Sequence, residues 1–247
     1  MNLAIIVLAA GKGTRMESDL AKVLHPLCGK PLVAWVLETV SALQPQRIVA
    51  VVGHQAEEVE RQVSQRFPTV EFARQEPMLG TGHAVQQTQA ALGDFKGDII
   101  VIYGDTPLIS EGALRQLAQK REGALASMMV ATVEEENAYG RVLYEADGRV
   151  RQIVEAKDAT PEILALKTVN AGTYCFESAA LWHYLAQISN DNRAGEYYLT
   201  DVVGLMTRDG QRVEAVFVDE REMTGINTRA QLQQLEQQLE EEARAAH

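Results

Sequence analysis

The sequence predicts an α/β fold with a mostly parallel, doubly wound sheet and a smaller β-hairpin region. Three observations carry the prediction. Short apolar runs rich in Val and Ile recur at Leu3 to Ala10, Arg47 to Val52, Asp98 to Tyr103 and Ala126 to Val133, as strands covered on both faces require. Segments with helical spacing lie between them, and that alternation builds right-handed βαβ units. From Arg141 the pattern changes to the period-two alternation of a hairpin.

The elements follow in order. The opening run from Met1 to Leu8 lacks a basic stretch and passes directly into a glycine-rich loop, so it reads as a strand and not as a signal peptide. Pro31 to Leu43 reads as a helix, with Pro31 in the first turn and Leu32, Val36, Leu37 and Val40 three and four residues apart. Glu57 to Phe67, Gly82 to Leu92 and Glu111 to Arg121 show similar spacing. Arg141 to Val154 alternates around a tight Asp147-Gly148 turn. A strand (Thr168 to Phe176), two helices (Ser178 to Gln187, Tyr198 to Thr207) and a strand (Arg212 to Val218) follow. A last helix starts near Arg229, where Thr228 and Gln231 form a capping box ahead of Leu232, Leu235 and Leu239; Glu240-Glu241-Glu242 is its solvated end.

Composition narrows the function classes. The chain has 247 residues, 46% of them hydrophobic, and a chain of this length buries roughly 70 to 75% of its unfolded surface without staples. Cys28 and Cys175 stand far apart with no C-x-x-C pattern, which excludes a zinc ribbon or redox motif and fits a reducing cytoplasm. No apolar run approaches the roughly 18 residues of a membrane span. The 23 Lys and Arg against 34 Asp and Glu give a net charge of −11, which argues against a nucleic-acid partner, so any bound phosphate must be met locally. His25, His54, His83, His183 and His247 show no zinc-ligand spacing. Neither G-x-S-x-G nor a reactive-cysteine context occurs, so covalent nucleophilic catalysis has no candidate.

Three local features could carry chemistry. Leu8-Ala9-Ala10-Gly11-Lys12-Gly13-Thr14-Arg15-Met16 follows the first strand, and its small residues let backbone N–H groups approach an anion while Lys12, Arg15 and the later Lys22 supply charge. It is not a dinucleotide fingerprint, because Met16 stands where the third glycine belongs, and no P-loop pattern occurs. An ordinary flexible loop is the alternative, and the basic residues favour phosphate. Tyr103-Gly104-Asp105-Thr106-Pro107 sets Asp105 at the carboxyl end of a parallel strand, a position suited to Mg²⁺, with a simple Asx turn as the alternative. Leu79-Gly80-Thr81-Gly82-His83-Ala84, taken alone, is a plain helix start capped by Thr81.

Taken together these motifs form a recognisable series. The first loop with Lys22-Val-Leu-His25, then Gln75, Leu79 to Ala84, Tyr103-Gly-Asp105, Tyr139-Gly-Arg141, Ile153-Val-Glu155, Asn170-Ala-Gly172, Gly195-Glu-Tyr-Tyr198 and Gly225-Ile-Asn227 occur in the order and approximate spacing of a sugar nucleotidyltransferase. The chain resembles that family over nearly its whole length, and most closely its bacterial uridylyltransferase domains that act on N-acetylglucosamine 1-phosphate. The resemblance implies a Rossmann-like fold, the nucleotide-diphospho-sugar transferase fold, with the hairpin region on the sugar side. It also implies the reaction of UTP with N-acetyl-α-D-glucosamine 1-phosphate to give UDP-N-acetylglucosamine and pyrophosphate, in the cytoplasm and towards cell-wall precursors. Carried over residue by residue, Leu8, Ala9, Ala10 and Gly11 line the nucleotide pocket, and Gln75, Gly80 and Thr81 read the uracil and its surroundings. Arg15 and Lys22 hold phosphates; Tyr103, Gly140, Glu155 and Asn170 contact the sugar; Asp105 and Asn227 bind Mg²⁺.

Elementary chemistry agrees. A sugar 1-phosphate is already an anionic nucleophile, so attack on the α-phosphorus of UTP needs in-line positioning and charge neutralisation, not a protein nucleophile. Asn227 is free to be a ligand because Thr228 already caps the last helix. Ala21 departs from the family, whose members often carry Pro before the lysine, which implies a less rigid loop. The bifunctional relatives also have a left-handed β-helix of hexapeptide repeats that acetylates glucosamine 1-phosphate. No such repeat occurs in these 247 residues, so the expected organisation is a nucleotidyltransferase domain at 1–228 and a helix at 229–247, without acetyltransferase activity. A related enzyme acting on another sugar 1-phosphate and a non-catalytic nucleotide-sugar binding module are the competing readings.

Overall fold

Strand β1 (Leu3–Leu8) is the hub of the molecule, and all six of its residues are buried because helices cover both sides of the sheet it centres. The computed structural model describes residues 2–245, so His247 lies outside the described residues. After β1 come a short hairpin of β2 (Pro26–Leu27) and β3 (Lys30–Pro31), then α1 (Leu32–Ser41), β4 (Arg47–Val52), α2 (Ala56–Arg66) and β5 (Glu71–Arg74). Next are α3 (Thr81–Gln86), α4 (Gln89–Leu92), β6 (Asp98–Tyr103), α5 (Glu111–Arg121) and β7 (Ala126–Thr132). The hairpin β8 (Arg141–Tyr144) and β9 (Val150–Val154) precedes α6 (Pro161–Leu164), β10 (Thr168–Glu177), α7 (Ser178–Leu185) and α8 (Thr200–Arg208). The chain continues through β11 (Val213–Phe217), α9 (Glu220–Met223) and α10 (Arg229–Ala245).

The main sheet has the order β11-β7-β10-β6-β1-β4-β5, with β8 paired to β10 and β9 to β8. Neighbours β6, β1, β4 and β5 run parallel, as do β7 and β11, while β10 is antiparallel to both β6 and β7. The predicted α/β class with a mostly parallel sheet and an added hairpin therefore holds. Because β1, β4 and β6 share a direction, their carboxyl ends at Leu8, Val52 and Tyr103 open on the same edge, where open α/β sheets bind ligands.

Side chains of β1 alternate between two cores. Leu3, Ile5 and Val7 pack with α1, α2 and α5 residues such as Val36, Val59 and Leu114; Ala4, Ile6 and Leu8 pack with Val85, Leu181 and Val202 of α3, α7 and α8. A third, smaller cluster joins Leu232 and Leu235 of α10 to Met16, Leu27, Leu32 and Ile226. The expected capping box forms: Gln231 N donates to Thr228 Oγ1 and Thr228 N to Gln231 Oε1, both at 3.1 Å.

Several boundaries differ from expectation for local reasons. The strand expected to reach Ala10 ends at Leu8, although Ala9 N still donates to Val51 O at 2.8 Å. Pro31 precedes α1 instead of filling its first turn. The helix expected over Gly82 to Leu92 divides after Gln86, where the buried Thr88 hydroxyl turns back to donate to Val85 O at 2.7 Å. Gly80, not Thr81, is the residue before α3. Helix α8 starts at Thr200, two residues late, because Tyr197 N and Leu199 N donate to Leu79 O and Thr81 Oγ1 at 2.8 and 3.1 Å. Strand β5 carries too little apolar sequence to have been read as one, and the parallel edge of β4 supplies its order.

Candidate active site

Two adjoining cavities of about 280 and 260 Å³ open at the carboxyl edge of the sheet. Leu8, Ala9, Ala10, Gly11, Gln75, Gly80 and Thr81 line the first; Gly140, Glu155, Asn170 and Asn227 line the second. Lys22, Tyr103 and Asp105 line both and form the junction. Arg15 lines neither but reaches the junction through Asn227, while the exposed Lys12 lines neither cavity.

The first cavity is built from backbone and small side chains. Past Ala9, the N–H groups of Ala10, Gly11, Lys12 and Gly13 donate to no protein acceptor among the described residues, which leaves a run of donors for an anion. Gly13 has φ +60°, and a Cβ there would stand 2.5 Å from Lys22 Cβ, so glycine lets the lysine stem pass behind the loop. On the opposite wall Gly80 has φ +103°, and a Cβ would stand 2.6 Å from Tyr197 O. This close approach, with Gly82 N donating to Tyr197 O at 2.8 Å, stitches the 79–82 turn to the segment 196–199. The buried Gln75 donates through Nε2 to Gly80 O at 2.8 Å and lies 3.2 Å from His83 Nδ1, which fixes its amide at the cavity wall. Thr81 does not cap α3; its hydroxyl instead accepts the Leu199 N–H hydrogen bond that delays α8.

The second cavity is built from polar side chains that are themselves held. Thr200 Oγ1 donates to Glu155 Oε1 at 2.9 Å. Burial pushes the Glu155 carboxyl above its ordinary range, the Thr200 bond opposes that, and the charges of Asp201, Asp158 and Glu196 reinforce it. Asn170 is engaged at both ends: Nδ2 donates to the Tyr174 hydroxyl at 2.6 Å and Oδ1 accepts from Gly172 N at 3.1 Å. One amide N–H and one lone pair remain for a ligand. Gly172, at φ +75°, lies against Tyr103 so closely that a Cβ would stand 2.3 Å from Cε2. Burial, with Glu155, Asp105 and Glu196 nearby, pushes the Tyr103 phenol well above its usual range, so it stays a neutral donor.

At the junction the Lys22 ammonium contacts Asp105 Oδ2 and donates to Asn227 Oδ1 at 3.1 Å, and Arg15 Nη2 donates to the same oxygen at 3.2 Å. Asn227 Nδ2 donates to Gly225 O at 3.1 Å, which turns Oδ1 towards the cations. Ile226 N donates to Asp105 O at 3.0 Å and brings the 225–227 segment beside the end of β6. Asp105 and Asn227 thus aim two hard oxygens at one point already filled by a cation, the lysine ammonium. Two protein oxygens completed by oxygens of a bound anion suit a hard divalent cation, and no cluster of three His, Cys, Asp or Glu among the described residues offers an all-protein cage.

Sequence reasoning missed the residues that hold this geometry. Gln55 Oε1 accepts from Ala21 N at 2.8 Å and steadies the approach to Lys22. Arg229 donates to Met16 O and Glu17 O. Met78 and Glu196 join the first cavity, Tyr139 and Met223 the second. Only Glu196 and Tyr139 carried a signal, as members of the Gly195-Glu-Tyr-Tyr198 and Tyr139-Gly-Arg141 motifs.

Comparison with known proteins bears on what this arrangement does. Residues 4–225 match the family model described as nucleotidyl transferase. The chain is 46% identical over 238 residues to proteins named bifunctional protein GlmU from Bacillus mycoides (strain KBAB4) and Bacillus cereus (strain G9842). The alignment covers 95% of this chain and 51% of each relative, so the chain spans about half the length of these relatives. In fold it is similar to UDP-glucose pyrophosphorylase, both complexed with UDP-glucose and in the apo form. The TM-score is 0.77 for each, at 17% and 18% identity, with 98% of this chain and 100% of the other covered.

Proposed function

Since the chain belongs to the nucleotidyl transferase family, we propose that it transfers UMP from UTP to N-acetyl-α-D-glucosamine 1-phosphate, giving UDP-N-acetylglucosamine and pyrophosphate. The observation that carries the reading is the junction: Lys22, Asp105 and Asn227 converge where a backbone-lined cavity meets a polar one. Kinship with the proteins named bifunctional protein GlmU supports the choice of reaction. On this reading residues 1–228 carry the catalytic unit, the helix from Arg229 supports it, and the reaction belongs in the cytoplasm as a supplier of cell-wall precursors.

In the proposed reaction, Gln75, Gly80 and Thr81 face the uracil end of UTP, and the free N–H groups after Ala9 face its phosphates. Glu155, Asn170, Gly140 and Tyr103 hold the sugar and its acetamido group. A phosphate oxygen of the sugar phosphate attacks the α-phosphorus, the bond to the bridging oxygen breaks, and that electron pair leaves with pyrophosphate. No protein group need take a proton, because the nucleophile is already anionic. Lys22 and Arg15 meet the charge that accumulates on the phosphoryl oxygens, the kind of electrostatic stabilisation that dominates such transfers. Asp105 and Asn227 would hold Mg²⁺, which when bound supplies further charge neutralisation.

The test is pyrophosphate release from UTP with N-acetylglucosamine 1-phosphate, glucose 1-phosphate and glucosamine 1-phosphate, each with and without Mg²⁺. Release selective for the acetylated sugar and dependent on Mg²⁺ is expected. Comparable turnover of glucose 1-phosphate overturns the amino-sugar assignment, and silence with all three from folded protein favours a binding module.

A further inference from the structure

Helix α10 reaches back more than two hundred positions to hold the loop that precedes Lys22. Its first residue, Arg229, donates from Nε to Met16 O at 2.8 Å and from Nη2 to Glu17 O at 2.7 Å. These carbonyls close the 3₁₀ turn Thr14–Met16, whose last residue is followed by Glu17 at φ +48°, a left-handed conformation that a side-chain-bearing residue keeps only when its surroundings enforce it. The Met16 side chain, fully buried, sits among Ile226, Leu232 and Leu235 on the same side. Arg15, one position earlier, donates to Asn227, two positions before Arg229. The turn bearing Arg15 is therefore fastened to the start of α10 by three independent links: a guanidinium fork, a buried methionine and the Arg15 to Asn227 bond.

A guanidinium presents two donors in a fixed plane and can hold two successive carbonyls at once, which an ammonium cannot match. Nothing else in the chain donates to Met16 O or Glu17 O among the described residues. The fork reaches neither cavity, so it acts only through the loop it holds. We propose that Arg229 is a positioning residue: it sets the turn 14–17, and with it the Arg15 guanidinium, against Asn227 at the junction of the two cavities. The consequence for turnover rests on the uridylyltransferase reading; the consequence for the loop does not.

Two measurements separate these. Hydrogen exchange reads the loop directly: in Arg229→Ala the amides of Met16 and Glu17, which donate to Gly13 O and Thr14 O, exchange about tenfold faster while those of β1 are unchanged, as expected for local opening. Arg229→Lys, which keeps one donor to one carbonyl, falls between. Kinetics read the effect on the site: KM for UTP rises about tenfold in Arg229→Ala with KM for the sugar phosphate within about twofold of the parent. In an Arg15→Ala background the same substitution adds less than about twofold, because its route is through Arg15. Unchanged exchange at Met16 and Glu17 overturns the proposal whatever the activity. So does an Arg229→Ala penalty that simply multiplies with that of Arg15→Ala. Failure of the parent protein to turn over UTP refutes the functional reading alone and leaves the exchange result to decide the role of Arg229.

Discussion

The two cavities are built in opposite ways. The first is walled by Leu8, Ala9, Ala10, Gly11 and Gly80, where the absence of side-chain bulk exposes backbone donors. The second is walled by Glu155, Asn170 and Tyr103, whose polar groups are oriented by Thr200, Tyr174 and Gly172. A triphosphate presents many equivalent oxygens and is served by a run of N–H groups, whereas a sugar presents distinct hydroxyls and an amide and needs individually aimed partners. The first cavity is thus sensitive to added atoms and the second to lost partners, with Lys22 and Asp105 as the hinge on which both depend.

The largest effect should come from the junction. Asp105→Ala removes one oxygen of the proposed metal pair and the carboxylate facing Lys22, and kcat is expected to fall by roughly a hundredfold or more, the scale of losing a principal electrostatic stabiliser. Thermal unfolding should stay near the parent value. Magnesium-dependent turnover at the parent rate would show that the two cavities do not share this centre.

Paired glycine substitutions sharpen the contrast next. Gly80→Ala drives a Cβ to 2.6 Å from a backbone carbonyl, and Gly172→Ala drives one to 2.3 Å from the Tyr103 ring, each at a positive φ. Each should cost about 1–3 kcal/mol of stability by urea unfolding. The kinetic signatures should divide: KM for UTP alone rises in the first, whereas the second, which displaces Tyr103 at the junction, raises KM for the sugar phosphate most. Equal rises in both constants in either variant would mean that the cavities move as one body.

Glu155→Gln probes the polar cavity more gently. A carboxyl whose native pKa is raised binds its proton more tightly when folded, so its burial costs stability once pH exceeds the ordinary value of 4.5, and the full cost is present above the raised native pKa. The glutamine variant should therefore melt higher than the parent at pH 7.5, with the gain shrinking as pH falls towards 4.5, while KM for the sugar phosphate increases several-fold. A variant that melts lower at every pH would mean that the Thr200 bond outweighs desolvation.

The same contrast explains what could be read from the chain itself. The strands β4 and β6 and the helix α5 were legible to the residue because contiguous apolar runs and helical spacing are local signals. The loop after β1 was legible for the same reason, being nine consecutive residues. The second cavity draws on Gly140, Glu155, Asn170 and Asn227, each ordinary in its own neighbourhood, and only the series of motifs singled them out. Arg229 and Gln55 stayed hidden because their partners lie over two hundred and over thirty positions away, where no periodicity links them. Met16 was read as the residue that spoils a dinucleotide fingerprint; in the fold it is a core residue of the third cluster, and that is what a glycine there could not be.

The smallest effect concerns Lys12, the basic residue of the first loop that the fold brings neither to a cavity nor, as it brings Arg15, to Asn227 at the junction. Its side chain is exposed, so its attraction for a bound triphosphate acts through water and salt and is worth at most about 1 kcal/mol. Lys22, by contrast, is mostly enclosed, with 16% of its side chain accessible, and touches Asp105 and Asn227 directly. Lys12→Ala should change kcat/KM for UTP by less than about threefold, and added salt should remove what difference there is. Lys22→Ala should depress turnover far more and do so at every ionic strength. If the two alanine variants were equally impaired, the loop would have to close over the nucleotide so that Lys12 joins the junction. The first cavity would then be assembled by the ligand, in contrast to the pre-aimed side chains of the second.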